Sequence, residues 1–278
     1  MKPDQLRDIP KVIKSSGECE NFSVQKFRRS IRRTGLEVKE CNAITRKIVH
    51  KIHPSIKTKE IYKEAYKLIK RHSSIAAIHY SLKKSILELG PTGFIFELFV
   101  SRYFESLGYK TSVGITLQGQ FVKHEVDVLA QKGDYQICVE CKFHNTIRFK
   151  NDVKVVLYVK ARWDDLVNGI QGNFIREFYV VSNTEFTKDA IEYARGSGLK
   201  LLGVNTPESE SFLDVIKKYK LYPITCLKRL KKIYCQELFR EKLILCSDLL
   251  TEKKTLLRIG MSEDEVKNLF SDINKIME

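Results

Sequence analysis

Apolar residues recur at helical spacing through the first 89 residues. The pattern predicts helices over Gln25–Thr34 (ended by Gly35), Val38–His53 (before Pro54), Thr58–Arg71 and Ile75–Leu89, the last stopped by Gly90-Pro91. A short β-like stretch, Val12-Ile13-Lys14, and a Ser15-Ser16-Gly17 turn precede them. This segment is expected to form a four-helix cluster with a small β cap.

The rhythm then changes. A helix over Thr92–Leu107, closed by Gly108, leads into strand-like alternation at Lys110–Ile115, Phe121–Gln131 and Tyr135–Phe143. A helix over Val153–Val167, a strand over Glu177–Ser182, a helix from the N-cap Thr187 through Ala194 and a strand over Lys200–Val204 follow. Alternating helices and strands predict an α/β fold with a central mixed sheet flanked by helices. From Tyr222-Pro223 onward the pattern is helical only, with Ser262 and Glu265 forming a capping box before Val266–Ile276. Three domains are therefore expected: 1–89, 90–221 and a helical C-terminal extension over 222–278. The chain has no evident internal repeat and no low-complexity linker.

The densest chemistry lies in the segment from His124 to Lys142. Gly133-Asp134 makes a plausible two-residue hairpin turn. Around that turn, one face pairs Ala130 with Ile137, Val128 with Val139 and Val126 with Cys141, apolar throughout. The other face pairs Leu129 with Cys138, Asp127 with Glu140 and Glu125 with Lys142. Like charges directly opposite one another are destabilising. A hard divalent cation such as Mg²⁺, commonly held by one or two carboxylates and water, would relieve the Asp127–Glu140 pair. Lys142 shares that face and could orient a water or offset charge on a phosphate. In the alternative, Lys142 balances Glu125 across the ladder while the acids face water. His124 and His144, on either side of the motif, could help at the site, but an ordinary surface role is the expectation for each.

Charge sharpens the picture. The 278 residues carry a formal net charge of +15, and residues 1–89 hold 21 Lys and Arg against 9 Asp and Glu, a net +12. That favours a polyanionic partner, either nucleic acid or a nucleotide phosphate. No run approaches the length of a transmembrane span, and the N-terminus lacks the apolar stretch of a secretory signal. Seven scattered cysteines fit reduced thiols, so a cytoplasmic location without membrane association is expected.

At Asp127 and Glu140-Cys141-Lys142, with Glu97 in the preceding helix Gly93-Phe94-Ile95-Phe96-Glu97, the sequence resembles the PD-(D/E)xK nucleases, in their Mrr-type, restriction-endonuclease-like branch. The strand ending Val180-Val181-Ser182-Asn183 and the helix after Phe186 extend the likeness over roughly residues 90–215. Val126 stands where the family usually has proline. The resemblance implies a metal-dependent DNA endonuclease. Asp127 and Glu140 would hold Mg²⁺ with the Cys141 carbonyl, Lys142 would position the nucleophile, and Glu97 would bind a second metal or tune the first. In the segment Tyr158–Leu166, Lys160 or Arg162 could contact phosphate; alternatively, Leu157 and Ala161 face inward and the charges outward.

The stretch from Val12 to Phe22, with Lys26 beyond it, resembles the ATP-cone, a nucleotide-sensing module, over about residues 9–89. Lys14, Gly17, Glu20 and Lys26 match its pattern, Ser15-Ser16 replaces Arg-Asp, and Thr58 resembles the threonine at its helix start. The resemblance implies ATP or dATP as a bound regulator. Alternatively, Lys14 and Lys26 belong to a basic DNA-facing surface, to which Arg28, Arg29, Arg32 and Arg33 would contribute.

The expected protein is a Mg²⁺-dependent endonuclease acting on DNA, with a nucleotide-binding N-terminal domain. Double-strand cutting would favour a homodimer. The competing expectation is a non-catalytic, nucleotide-sensing DNA-binding regulator. Leu256–Met261 has a faint helix-hairpin-helix character, but without a paired Gly-x-Gly the C-terminal segment is read as a structural or dimerising appendage.

Overall fold

The computed structural model describes residues 11–14, 17–146, 148–170 and 172–278. The chain divides into two compact units, Met1–Leu82 and Lys83–Glu278. Among the described residues no helix is long and apolar enough to cross a membrane.

In the first unit, β1 (Lys11–Ile13) pairs antiparallel with β2 (Cys19–Asn21). Helices α1 (Val24–Arg32), α2 (Val38–Val49), α3 (Thr58–His72) and α4 (Ser74–Leu87) follow. The Ser23 hydroxyl caps α1 by accepting from the Lys26 N–H at 3.2 Å. Apolar stripes at helical spacing bury Phe27, Ile31, Ile44, Ile48, Ile61, Ala65 and Ile69 in one core. Helix α2 ends four residues before the expected His53. The N–H groups of Lys51 and Ile52 bond back three residues, to Ile48 and Val49, and the residue before Pro54 is biased away from helical geometry.

The second unit takes in the end of α4 from Lys83 and continues with α5 (Phe94–Ser106). The strands β3 (Lys110–Gln118), β4 (Lys123–Lys132) and β5 (Tyr135–Lys142) come next, then the two-residue β6 (Lys150–Asn151) and α6 (Val153–Val167). After these come β7 (Ile175–Ser182), β8 (Glu185–Phe186), α7 (Lys188–Ser197) and β9 (Lys200–Leu202). The main sheet has the order β3-β4-β5-β7-β9. Its first three strands run antiparallel, while β5-β7 and β7-β9 are parallel. This is the mixed α/β sheet expected. One face packs Leu129, Cys138, Phe178 and Val180 against Val156, Val159 and Leu166 of α6. Helix α5 packs against β3, β4 and β5, and its Phe104 meets Tyr179 edge-on.

The hairpin turns at Gly133, whose φ of +59° suits glycine. The ladder pairs Ala130 with Ile137, Leu129 with Cys138 and Val128 with Val139, the register expected. It is recorded no further than Val128–Val139, so the expected partnerships of Val126 with Cys141, Asp127 with Glu140 and Glu125 with Lys142 are not ladder pairs. Beyond that point β4 stays paired with β3, while β5 stays paired with β7 through Lys142. The two strands part because each follows its outer neighbour.

Helix α8 (Phe212–Lys218) closes the central segment, and the C-terminal segment contains α9 (Lys232–Arg240), α10 (Lys253–Arg258) and α11 (Glu263–Met277). It is not purely helical: Pro223 and Leu245 form an antiparallel bridge. The capping box of Ser262 with Glu265 is present at the start of α11.

Candidate active site

The end of the hairpin gathers the acidic residues singled out above. Asp127 on β4 accepts a hydrogen bond from the Cys141 backbone N–H through Oδ2, at 2.6 Å. Glu140, only 4% exposed, has both carboxylate oxygens engaged. Lys142 Nζ donates to Oε1 at 2.6 Å, and Arg162 of α6 donates through Nη1 to Oε2. The second Arg162 nitrogen, Nη2, donates to the backbone carbonyl of Glu125. One guanidinium thus ties α6 to both parting strands.

Burial pushes the Asp127 carboxyl up to about 6, and the Glu140 charge adds to the rise. The Cys141 N–H, Lys142 and Arg162 oppose it without cancelling it. Burial also pushes Glu97 on α5 up to about 7, with Asp127, Glu125 and Glu140 contributing repulsion. Glu97, Asp127 and Glu140 therefore share one acidic neighbourhood, and among the described residues basic side chains pair there with Glu140 alone.

That imbalance is what a hard divalent cation would relieve, and carboxylate oxygens are the donors such an ion prefers. Asp127 and Glu140 are the carboxylates that could hold such an ion, Glu140 by giving up its bond to Lys142, and Glu97 stands within electrostatic reach. Among the described residues no three His, Cys, Asp or Glu side chains form a ready cage for a metal. A Mg²⁺ site that completes its shell with water and substrate phosphate needs no such cage.

Three features escaped the sequence pattern. Arg162 is buried, whereas Leu157 and Ala161 are exposed, the reverse of the arrangement with those two inward. The only local signal was its place on the helix after the motif. His124 does not merely face water: its Nε2 lies 2.6 Å from Asp165 Oδ2. Asp165 also accepts the N–H groups of Phe121 (2.9 Å) and Val122 (3.3 Å), pinning the β3–β4 turn to α6. Third, Asn151 is fully buried and donates to Ser182 Oγ at 2.9 Å, and Ser182 Oγ donates to the Lys142 carbonyl at 2.8 Å. Asn151 Oδ1 also meets His144 Nε2 at 2.9 Å, while Asn183 exchanges two hydrogen bonds with the His144 backbone. This network fixes the chain as it leaves Lys142.

In the first unit, Lys14, the residue after β1, pairs with Glu20 at 2.6 Å. Gly17 takes a φ of +87° in the turn between β1 and β2. Ile13 N–H donates to Ile56 O at 2.9 Å, which brings the chain just before Thr58, the first residue of α3, beside β1. Lys26 sits in the first turn of α1. Ser15 and Ser16 lie outside the described residues.

Residues 91–206 match the restriction endonuclease family, and residues 222–277 match the AF1548-like, C-terminal family. An uncharacterized protein of Archaeoglobus fulgidus is 31% identical over 179 residues, 64% of this chain and 99% of that protein. The chain belongs to the AF1548-like family. Its central domain, 91–206, is restriction endonuclease-like. The crystal structure of AF1548, a protein of unknown function, aligns with this AF1548-like chain at a TM-score of 0.55 and 29% identity. That alignment covers 67% of this chain and 98% of that one. Can2 from Sulfobacillus thermosulfidooxidans, in complex with cyclic tetra-adenylate, aligns at a TM-score of 0.35 with 15% identity over 73% of this chain and 64% of its own. That likeness is too distant to inform the site. Both family matches of this AF1548-like protein lie C-terminal to residue 90, so the ATP-cone reading rests on sequence resemblance alone.

Proposed function

We propose that this protein is a metal-dependent endonuclease that hydrolyses DNA phosphodiester bonds. The observation that carries the reading is the gathering of Asp127, Glu140 and Lys142 where β4 and β5 part, within a restriction endonuclease-like domain. A divalent ion held by Asp127, Glu140 and the Cys141 carbonyl would supply Lewis-acid activation of the phosphate and of water.

The remaining work falls to the protein. Cys141 N–H orients the Asp127 carboxylate through its 2.6 Å bond. Arg162 holds Glu140 from the α6 side, which leaves Lys142, 30% exposed, free to exchange its bond to Glu140 for one to an incoming water or phosphate oxygen. Lys142 then positions the nucleophile and offsets charge building on the phosphate. Glu97, titrating near neutrality, serves as a further ligand or tunes the site's charge. The exposed, cationic α1, with Lys26, Arg28, Arg29 and Arg32, adds sequence-independent attraction for the DNA backbone.

In this proposal the first unit binds ATP or dATP at Lys14, Gly17, Glu20, Lys26 and Thr58 and regulates the nuclease. The protein is cytoplasmic and dimerises to cut both strands. The commitment of both Glu140 oxygens to basic side chains favours a second reading, a non-catalytic DNA-binding regulator. Incubation of the full chain with plasmid, with and without Mg²⁺ or Mn²⁺ and with and without ATP, decides between them. Metal-dependent nicking establishes the nuclease, and intact plasmid under every condition refutes it.

A further inference from the structure

A groove of about 570 Å³ opens on the α6 side of the candidate site. One wall is the β3–β4 turn with Phe121 and Val122; the other is α6 with Tyr158, Arg162 and Asn168. Phe121 is 78% exposed and Tyr158 57% exposed. What sets these rings apart from singly exposed apolar side chains is that Phe121, Val122 and Tyr158 line one groove together.

Their setting is ordered. Asp165 accepts from the Phe121 and Val122 N–H groups and bonds His124, and its own carbonyl accepts from the Gln120 N–H at 2.9 Å. The turn is held to α6 by four hydrogen bonds around one residue while it presents a phenyl ring to solvent. A rigid aromatic loses little conformational freedom on binding.

Along α6, Lys154, Tyr158 and Arg162 stand four residues apart and share a face. Lys154 is exposed, and the Arg162 guanidinium carbon lies 5.3 Å from the Tyr158 ring centre. The exposed part of the stripe is a cation, Lys154, followed by an aromatic ring, Tyr158, while Arg162, buried against Glu140, lies against that ring. Alternating charge and π-face suits a polynucleotide strand, whose phosphates and bases alternate in the same way. Arg162 belongs to both the groove and the carboxylate site, where it holds Glu140, so the groove begins at the proposed cleavage site.

We propose that this groove binds an unpaired nucleobase of the DNA strand, stacked on Phe121 and Tyr158, next to the phosphate to be cut. The proposal rests on the nuclease reading for the neighbouring site and names its substrate class: DNA carrying an unstacked nucleotide, because bases inside a duplex cannot reach such a ring. Lys154 meets a flanking phosphate.

The test uses the full-length Asp127→Asn protein and oligonucleotides carrying 2-aminopurine, whose fluorescence reports stacking without any cleavage. A single-stranded probe should be quenched on binding. Phe121→Ala or Tyr158→Ala should abolish the quench and weaken binding about 10-fold, while Phe121→Trp restores both. Phe121 is largely exposed, so these variants should keep the parent melting temperature. Quenching and affinity unchanged by both alanine variants would overturn the proposal, as would tighter binding of a fully paired duplex. If the wild-type protein cuts no DNA but the Phe121-dependent quench is present, the nuclease reading fails and the base site stands. If the protein cuts single strands equally well with and without Phe121, the base site fails and the nuclease stands.

Discussion

Asp127 receives, on a side-chain oxygen, the Cys141 backbone N–H at 2.6 Å. The antiparallel ladder between β4 and β5 is recorded only as far as Val128–Val139, so the carboxylate takes this donor just where regular pairing has ceased. The same bond keeps the N–H satisfied and sets the angle at which the carboxylate faces Glu140. Local disruption of the sheet and assembly of the site are one event.

Asp127 is held in a position that its charge opposes. Its carboxyl is raised to about 6 by burial and by Glu140, so the folded protein binds a proton there more tightly than the unfolded chain. Stability from this group therefore grows as pH falls and is reduced above pH 6. Asp127→Asn keeps an acceptor for Cys141 N–H but removes the charge. At pH 8 and without metal it should melt above the wild type, while plasmid nicking with Mg²⁺ falls at least about 1,000-fold. Thermal melts across pH 5–8 beside a nicking time course check both halves.

Arg162 compensates a carboxylate that is 4% exposed. Removing one partner of a buried pair typically costs about 3–5 kcal/mol; here Lys142 remains on Glu140, which places Arg162→Ala toward the lower end. It should also free the Glu125 carbonyl from its bond to α6. Arg162→Lys retains a charge but loses the two-pronged geometry, and should fall between Arg162→Ala and wild type. Urea unfolding of the three proteins should give that ranking.

The β3–β4 turn should be acid-sensitive. Burial raises the Asp165 carboxyl, but the Phe121 and Val122 N–H groups and His124 outweigh it, leaving its pKa below the usual 3.8. A depressed carboxyl contributes stability above its unfolded value and loses it as pH falls through the folded one. Asp165→Asn should thus be less stable than wild type at pH 7, with the gap closing below pH 4. Melting curves at pH 7 and pH 3 measure it.

Lys14 and Lys26 make the nucleotide proposal testable. The Lys14→Ala, Lys26→Ala double variant of the full chain should lose ATP and dATP binding in calorimetry and any effect of these nucleotides on nicking. Its nicking rate without nucleotide should fall by no more than the loss of two backbone-attracting charges gives, and that fall should shrink as DNA is raised to saturation. Equal heats of binding for the two proteins would remove these lysines from the site.

The hairpin was legible because it is local. Alternation of Val126, Val128 and Ala130 against Ile137, Val139 and Cys141 about Gly133 left one register that buries apolar residues on one face. The recorded ladder follows that register through its closed part. Its failure beyond Val128 was not legible, because the outer neighbours β3 and β7 pull the two strands apart. The end of α2 was misplaced for a smaller reason: apolar spacing continued past Val49 while the backbone bonds had already tightened.

The sequence by itself determined the kinds of elements, the α/β class of the central domain, the turn at Gly133 and the closeness of Asp127 to the Glu140–Lys142 strand. Each follows from side-chain periods of two or 3.6 residues and from turn chemistry within a few positions. Tertiary structure alone decided that Arg162 reaches Glu140 across 22 residues, that Asp165 grips a turn more than 40 residues away, and that Asn151 braces Lys142 through Ser182. A polar residue on a helix or loop carries no periodic signature of its distant partner. Only packing α6 onto the sheet, driven by Val156, Val159 and Leu166, brings such partners within hydrogen-bonding range.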